Sequence, residues 1–255
     1  MSSATFARPS PSADLQRWTG RTLNRRVAAR VAGAGYVAIF ALAIFANFFV
    51  LEGLVQADDP AATVAGIQDD LSLFRLGLIA FLAVFVLDIA ISWALYVVFR
   101  DVHRDLAVLA AWSRLVYTVF LGVALVYFFQ VIQWVGDSEY LAALGQEQIE
   151  AQTMLAVDSF EFTWLVGLIA FGLHLVLLGA LVLRSGYVPR IMGGLLILAG
   201  IAYGMDTLAH AVLADYDSVA GLMLAFVALP SMLGEGWLGL WLLLTRRFNR
   251  ESETN

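Results

Sequence analysis

Two residue types are missing from this chain of 255 residues: it contains neither cysteine nor lysine. Without cysteine there is no disulfide, no thiolate nucleophile and no cysteine-ligated cluster. Without lysine there is no Schiff base and no phosphate-binding Gly-x-x-x-x-Gly-Lys motif. Charge is also scarce, because only 14% of the residues are charged, against roughly 25% in soluble domains. Several catalytic classes and an ordinary soluble domain are therefore excluded.

Apolar residues dominate what remains. They make up 61% of the chain, and the mean hydropathy is +0.81. Runs long enough to cross the roughly 30 Å hydrocarbon core of a bilayer occur six times, at residues 31–55, 73–99, 106–134, 162–183, 191–213 and 219–244. None alternates with the period of two that a membrane β-barrel requires. The sequence predicts an all-α polytopic bundle with six spanning helices.

The arginines indicate how these helices are oriented. Outside the apolar runs they cluster before the first, between the second and third, between the fourth and fifth, and after the sixth. The alternate connections carry aspartate and glutamate instead. Because positively charged loops stay on the cytoplasmic side, both termini are predicted to be cytoplasmic. We expect a multi-pass membrane protein.

Three regions are predicted along the chain. Residues 1–29 form an arginine-rich cytoplasmic tail, in which Asp14 to Arg30 have the pattern of a short interfacial helix. Residues 30–248 form the transmembrane domain, and residues 249–255 form a short cytoplasmic tail. The basic start is interpreted as an orientation signal, so no nucleic acid is expected as a partner. The expected partners are the lipid bilayer and a small-molecule or lipid ligand, and the sequence leaves the oligomeric state open.

Among the ionisable residues inside otherwise apolar runs, four lie near the predicted midplane: Asp88, Arg114, His174 and Glu235. At a helical rise of about 1.5 Å per residue, the two acids and the histidine fall within about 5 Å of the midplane, and the arginine about 9 Å below it. Buried charges in membranes are usually paired and functional. We predict an ion pair between Asp88 and Arg114, and a ligand-binding or proton-relay cluster of all four. The alternatives are a pair that only fixes helix register and a neutral, hydrogen-bonded histidine.

The surroundings of Glu235 favour a functional role for it. Pro230 removes a backbone hydrogen-bond donor one turn earlier, while Gly234 and Gly236 allow close approach of a helix or a ligand. The segment is predicted to be kinked and to open toward a cavity.

A second polar group is predicted nearer the outer surface. Asp206 and His210 share one face of the fifth helix, with Tyr203 three residues earlier. Arg75, near the outer end of the second helix, is a further candidate, although it can also extend to the interface. Metal binding by Asp206 and His210 is weakly supported, because the chain has only three histidines. No cofactor is predicted, and no known catalytic motif includes any of these residues.

The connection between the fourth and fifth helices predicts a tight hairpin. Gly186 allows a helix to stop with a positive φ, and Pro189 can begin the next helix.

Several segments together resemble one protein family. They are Phe74-Arg-Leu-Gly-Leu78 before Asp88, Leu109-Ala-Ala-Trp-Ser-Arg-Leu115, Leu173-His-Leu-Val-Leu-Leu-Gly179, Arg184-Ser-Gly-Tyr-Val-Pro-Arg190 and Gly234-Glu-Gly-Trp-Leu-Gly-Leu-Trp241. In this combination the chain resembles the bacterial membrane proteins grouped as domain of unknown function 4386, over nearly all of residues 30–248. The resemblance implies a six-helix inner-membrane protein and implies no particular activity.

Three classes of function remain open from the sequence. The first is a small transporter or ligand-binding bundle with a buried polar cluster. The second is a non-catalytic sensor, immunity or assembly protein whose buried charges only define its fold. The third is an intramembrane enzyme acting on a lipid, with Glu235 and His174 as acid and base.

Overall fold

The computed structural model describes residues 24–136 and 139–249, and in these ranges the chain is helical without a single strand. The seven main helices are α1 Arg25–Leu54, α2 Pro60–Asp69, α3 Leu71–Phe99, α4 Arg104–Trp134, α5 Gln146–Ser185, α6 Arg190–Val212 and α7 Asp217–Leu244. All except α2 are long and apolar enough to cross a membrane. The predicted all-α bundle with six spanning helices is therefore confirmed.

The fourth span is longer than the apolar run that predicted it. Helix α5 has 40 residues and begins at Gln146 rather than at residue 162. At about 1.5 Å per residue it is roughly 60 Å long, so its first turns extend beyond a bilayer core of about 30 Å. The polar residues in these turns lower the hydropathy without breaking the helix. Thr153, Ala156 and Phe160 are buried, so this extension is held by packing.

The first span contains an irregular turn near its outer end. Residues Phe45–Leu51 of α1 form a π-helical segment, in which the Asn47 side chain donates to the Ala43 carbonyl at 2.9 Å. The short helix α2 follows, begun by the Asp59 cap and by Pro60 in its first turn. Its Val64 and Ile67 are buried in the core at the outer end.

The six spanning helices form a closed ring. Each packs mainly against its neighbours in sequence, and α7 completes the ring by packing against α1. The inner side, which is predicted to be cytoplasmic, is filled by a core to which all six spanning helices contribute. The outer core contains only α1 to α5. In residues 203–229, the outer halves of α6 and α7, no side chain is fully buried.

The hairpin between α5 and α6 is confirmed. Helix α5 ends at Gly186, whose φ is +68°, and α6 follows directly after Pro189. The predicted interfacial helix lies mostly in residues outside the described range, and Arg25–Arg30 belong to α1. Residues 250–255 of the predicted C-terminal tail also lie outside that range.

Candidate functional site

The predicted ion pair between α3 and α4 is present. Arg114 donates from Nε to Asp88 Oδ1 at 2.8 Å and also from Nη2 to the same oxygen. The side chains are each only 2% exposed. Two helices that are adjacent in the chain present these residues at matching depth, which is why the pair is predictable from the sequence. A buried charge in this setting needs its partner, because removing one member of such a pair typically costs about 3 to 5 kcal/mol.

Arg114 also connects the pair to α1 and α5. Its Nη1 lies 3.3 Å from the Tyr36 hydroxyl and 3.3 Å from His174 Nε2. The guanidinium carbon lies 5.2 Å from the centre of the Tyr36 ring and 5.3 Å from that of Phe171. All three guanidinium nitrogens therefore have partners, and the arginine joins four helices.

His174 is held as a neutral ring by these contacts. Its Nδ1 lies 2.9 Å from the Ala110 carbonyl oxygen, which accepts hydrogen bonds only, so Nδ1 carries the proton. The lone pair of Nε2 then faces the Arg114 N–H group. A second proton on the ring would face a guanidinium. This geometry supports the neutral, hydrogen-bonded role for His174 over the predicted proton-relay role.

Glu235 belongs to a second chain of hydrogen bonds. Ser231 Oγ donates to Glu235 Oε1 at 2.8 Å, and the Tyr203 hydroxyl lies 3.2 Å from the same Oγ. Since serine has a single hydroxyl hydrogen, it accepts from Tyr203 when it donates to the glutamate. Tyr203 was predicted in the outer group with Asp206. The structure instead turns its ring inward, next to Phe171 and one hydrogen bond from Ser231.

Both polar chains border one cavity of about 230 Å³ in the centre of the ring. All six spanning helices contribute to its wall. The polar groups at its inner end are Tyr36, Asp88, Arg114, Tyr203, Ser231 and Glu235. The remaining wall is apolar or aromatic and consists of Ile39, Phe40, Ala43, Phe81, Val84, Tyr117, Leu121, Trp164, Leu168 and Phe171.

The cavity extends from the ion pair toward the outer side. Along α3 its wall runs from Asp88 back to Phe81, and along α4 it runs from Arg114 forward to Leu121, both in the outward direction. Below the pair the inner core is filled by residues such as Leu175, which is completely buried. The cavity is therefore closed at its inner end, and its outer part is lined by residues of α1, α3, α4 and α5.

Helix α7 passes through Pro230 without interruption and presents Ser231 and Glu235 to the cavity one turn apart. Gly234 lies against α6, where an added Cβ would stand 3.2 Å from the Leu196 nitrogen. Gly236 faces the ring of Phe40, at 3.8 Å from such a Cβ. The glycines thus allow close helix packing, and the predicted opening of this segment toward a cavity agrees with the structure.

The outer group is separate from the cavity. Tyr216 donates to Asp206 Oδ1 at 2.7 Å, and the His210 ring stacks on the Tyr216 ring at 3.4 Å between centres. Burial, together with the hydrogen bond to Asp206, raises the pKa of the Tyr216 hydroxyl. Arg75 is exposed on α3 and makes no hydrogen bond or ion pair with Asp206 or His210. Within residues 24–136 and 139–249, no three metal-ligating side chains cluster.

Three further groups of the cavity wall, Tyr36, Trp164 and Ser231, are not predicted from the sequence. Tyr36 and Trp164 are ordinary members of apolar helices, and nothing local in the sequence distinguishes them. The Tyr36 hydroxyl is a candidate because it accepts a hydrogen bond from Arg114, and the Ser231 hydroxyl because it donates one to Glu235. A polar atom within an apolar run, four residues before a buried glutamate, was the one available signal for Ser231.

Comparison with known proteins agrees with this architecture. Residues 31–245 match the family model described as Domain of unknown function (DUF4386). A protein of Archaeoglobus fulgidus, described as an uncharacterized protein, is 26% identical over 164 residues, which cover 64% of this chain and 80% of that protein. No solved structure matches the chain.

Proposed function

The chain belongs to the DUF4386 family of membrane-type helical proteins, and from its geometry we propose that it is a small transporter whose central cavity binds a small molecule. The observation that carries the proposal is the cavity itself. It is bordered by all six spanning helices and has its charged groups at one end only. Ligand sites have this composition, with a mostly apolar wall and a few polar groups that orient the ligand.

The distribution of packing supports transport over binding alone. The inner half of the ring is filled by a continuous core, whereas residues 203–229 on the outer side contain no fully buried side chain. Segments with few buried contacts are those that open at low cost. A bundle closed on one side of its ligand and loosely packed on the other corresponds to one of the two states of an alternating-access cycle.

The two other functional classes receive less support. An enzyme that used His174 as a base would need a free ring nitrogen, and both nitrogens have partners. A bundle whose charges only define its fold accounts for the Asp88–Arg114 pair, but not for a carboxyl group beside a cavity. A binding-only sensor remains the second candidate and differs from a transporter only in the absence of flux.

The arginine distribution supports a location in the bacterial cytoplasmic membrane with both termini inside. Arg100 and Arg184 lie at the inner ends of α3 and α5, whereas Asp59 and Asp215 lie in connections on the opposite side. This arrangement follows the positive-inside rule.

A substitution that fills the cavity with a larger side chain tests the proposal. Ala43 lines the cavity from α1, and Ala41, two residues earlier on the same helix, is exposed on the outside of the bundle. We expect protein in lipid nanodiscs to retain a small molecule that mass spectrometry detects. Ala43→Phe should lose it, because the new ring occupies the space, while Ala41→Phe should keep it.

Flux then separates a transporter from a sensor. The retained compound, added to proteoliposomes, should enter faster with the wild-type protein and with Ala41→Phe than with Ala43→Phe. Binding without flux would favour the sensor. Equal retention by both phenylalanine variants would refute the cavity as the binding site.

A further inference from the structure

We propose that the cavity takes a small organic cation, a hydrophobic amine or quaternary ammonium, with the Glu235 carboxylate as its counter-charge. The inference rests on the proposed function, because it names the ligand class of the same cavity. Three observations carry it: the balance of charge at the inner end, the lack of an available cation for an anionic ligand, and the aromatic wall.

The charge at the inner end is unbalanced. Two carboxyl groups, Asp88 and Glu235, line the cavity together with one guanidinium. Arg114 is bound to Asp88. Among the described residues, Glu235 forms no ion pair, and its one hydrogen bond comes from Ser231. Glu235 is 5% exposed, so in the described part of the chain its carboxyl group is buried beside the cavity with no cation in direct contact.

Arg114 is not available to bind an anionic ligand. Asp88 neutralises its charge, and its Nη1 is directed to Tyr36 and His174. An anion would have to displace contacts made in a buried site, where they are strong. A cation instead finds an unpaired carboxylate in surroundings of low dielectric, where attraction between opposite charges is greater than in water.

The wall of the cavity suits a cation with apolar substituents. Phe40, Phe81, Tyr117, Trp164 and Tyr203 contribute aromatic rings. The face of an aromatic ring carries negative potential and attracts ammonium groups, most strongly when these are alkylated and weakly hydrated. Trp164 donates its indole N–H to the Tyr117 hydroxyl at 3.0 Å, which fixes both rings in place.

The cavity volume limits the ligand to about one ring with a short substituent. The space is about 230 Å³, whereas an engineered protein cavity of roughly 150 Å³ holds benzene. Benzyltrimethylammonium is therefore a suitable probe. Its uncharged carbon analogue neopentylbenzene has nearly the same shape, and phenylacetate supplies the opposite charge.

Equilibrium dialysis against protein in nanodiscs tests the proposal with these three probes. Wild-type protein should bind benzyltrimethylammonium more tightly than either of the others. Glu235→Gln keeps the size of the side chain and removes its charge, so it should weaken binding of the cation by about tenfold or more and leave neopentylbenzene unchanged. Glu161→Gln, at an exposed position on α5, is the matched control and should bind like wild type.

Trp164→Leu is a second variant that leaves the charge cluster intact. It tests the cationic ligand class if Glu235→Gln does not fold. It should weaken cation binding severalfold. Unchanged cation binding in Glu235→Gln, or in Trp164→Leu, overturns the inference, and so does tighter binding of phenylacetate. If neopentylbenzene binds as well as the cation and Ala43→Phe abolishes both, the cavity remains the ligand site and only the cationic ligand class is wrong.

Discussion

Arg114 holds several helices together at the inner end of the cavity. The residue belongs to α4, and its guanidinium contacts side chains of α1, α3 and α5. Each contact satisfies a polar group that would otherwise face hydrocarbon, where an unsatisfied group costs several kcal/mol. The arginine therefore links four helices at one depth in the bundle.

Breaking the ion pair should destabilise the protein strongly. In Asp88→Asn the guanidinium loses its counter-charge, so we expect a loss of about 3 to 5 kcal/mol, measured by thermal or SDS-induced unfolding in detergent. The apolar double variant Asp88→Leu with Arg114→Met should lose less than Asp88→Asn, because it leaves no unpaired charge.

Asp101→Asn is the matched control for this experiment. Asp101 lies 3.9 Å from Arg100 in an exposed pair, and such pairs contribute about 0 to 1 kcal/mol. Equal stability of Asp88→Asn and Asp101→Asn would mean that the buried pair does not hold the fold.

Helices α5 and α6 pack in close backbone contact. Gly172 and Gly200 face each other, and a Cβ added at Gly172 would stand 2.6 Å from the Gly200 carbonyl oxygen. Gly179 and Gly193 repeat the arrangement two turns nearer the inner side. Small residues at these positions allow the helices to approach within backbone contact, which is a common way to associate helices in lipid.

Gly200→Val should separate these helices. Its side chain would meet the α5 backbone, which cannot move away locally, so we expect a clearly lowered unfolding temperature. Gly204→Val, one turn farther along α6, is the control, because nothing lies within 4 Å of a Cβ at that position. A normal melting temperature for Gly200→Val would contradict the close packing of α5 and α6.

The ring arrangement of the six spanning helices creates the central cavity. Six helices that pack in sequence and close through α7 and α1 leave a central space that no single pair of helices could enclose. The inner core seals one end of this space, and the outer core includes no residue from α6 or α7. The ligand route is thus expected on the outer side, beside these two helices.

The orientation can be tested without altering any native cysteine, because the chain has none. Cysteines introduced at the exposed positions Asp58, Glu147 and Asp215 should react with a membrane-impermeant maleimide in intact cells. Asp101→Cys, in the turn between α3 and α4, should react only after permeabilisation. Labelling of residue 101 in intact cells would show the opposite orientation.

Hydropathy and charge were sufficient to predict the number and class of the helices. Apolar runs of spanning length have one stable form in lipid, since every backbone hydrogen bond must be made within the segment. The Asp88–Arg114 pair is also predictable, because these two opposite charges interrupt apolar runs on helices that are joined by a short turn. The outer extension of α5 was missed, since its polar residues are held by tertiary packing rather than by lipid.

Composition and hydropathy alone specify the six-helix bundle, the ends of the bundle at which its basic and acidic connections lie, and the set of polar groups that need partners inside it. The tertiary structure sets which partner each of these polar groups contacts. The rotation of each helix about its axis turns Tyr203 toward Ser231, brings Tyr36 to Arg114, and occupies both nitrogens of His174. These rotations follow from side-chain packing around the whole ring, which no single helix specifies.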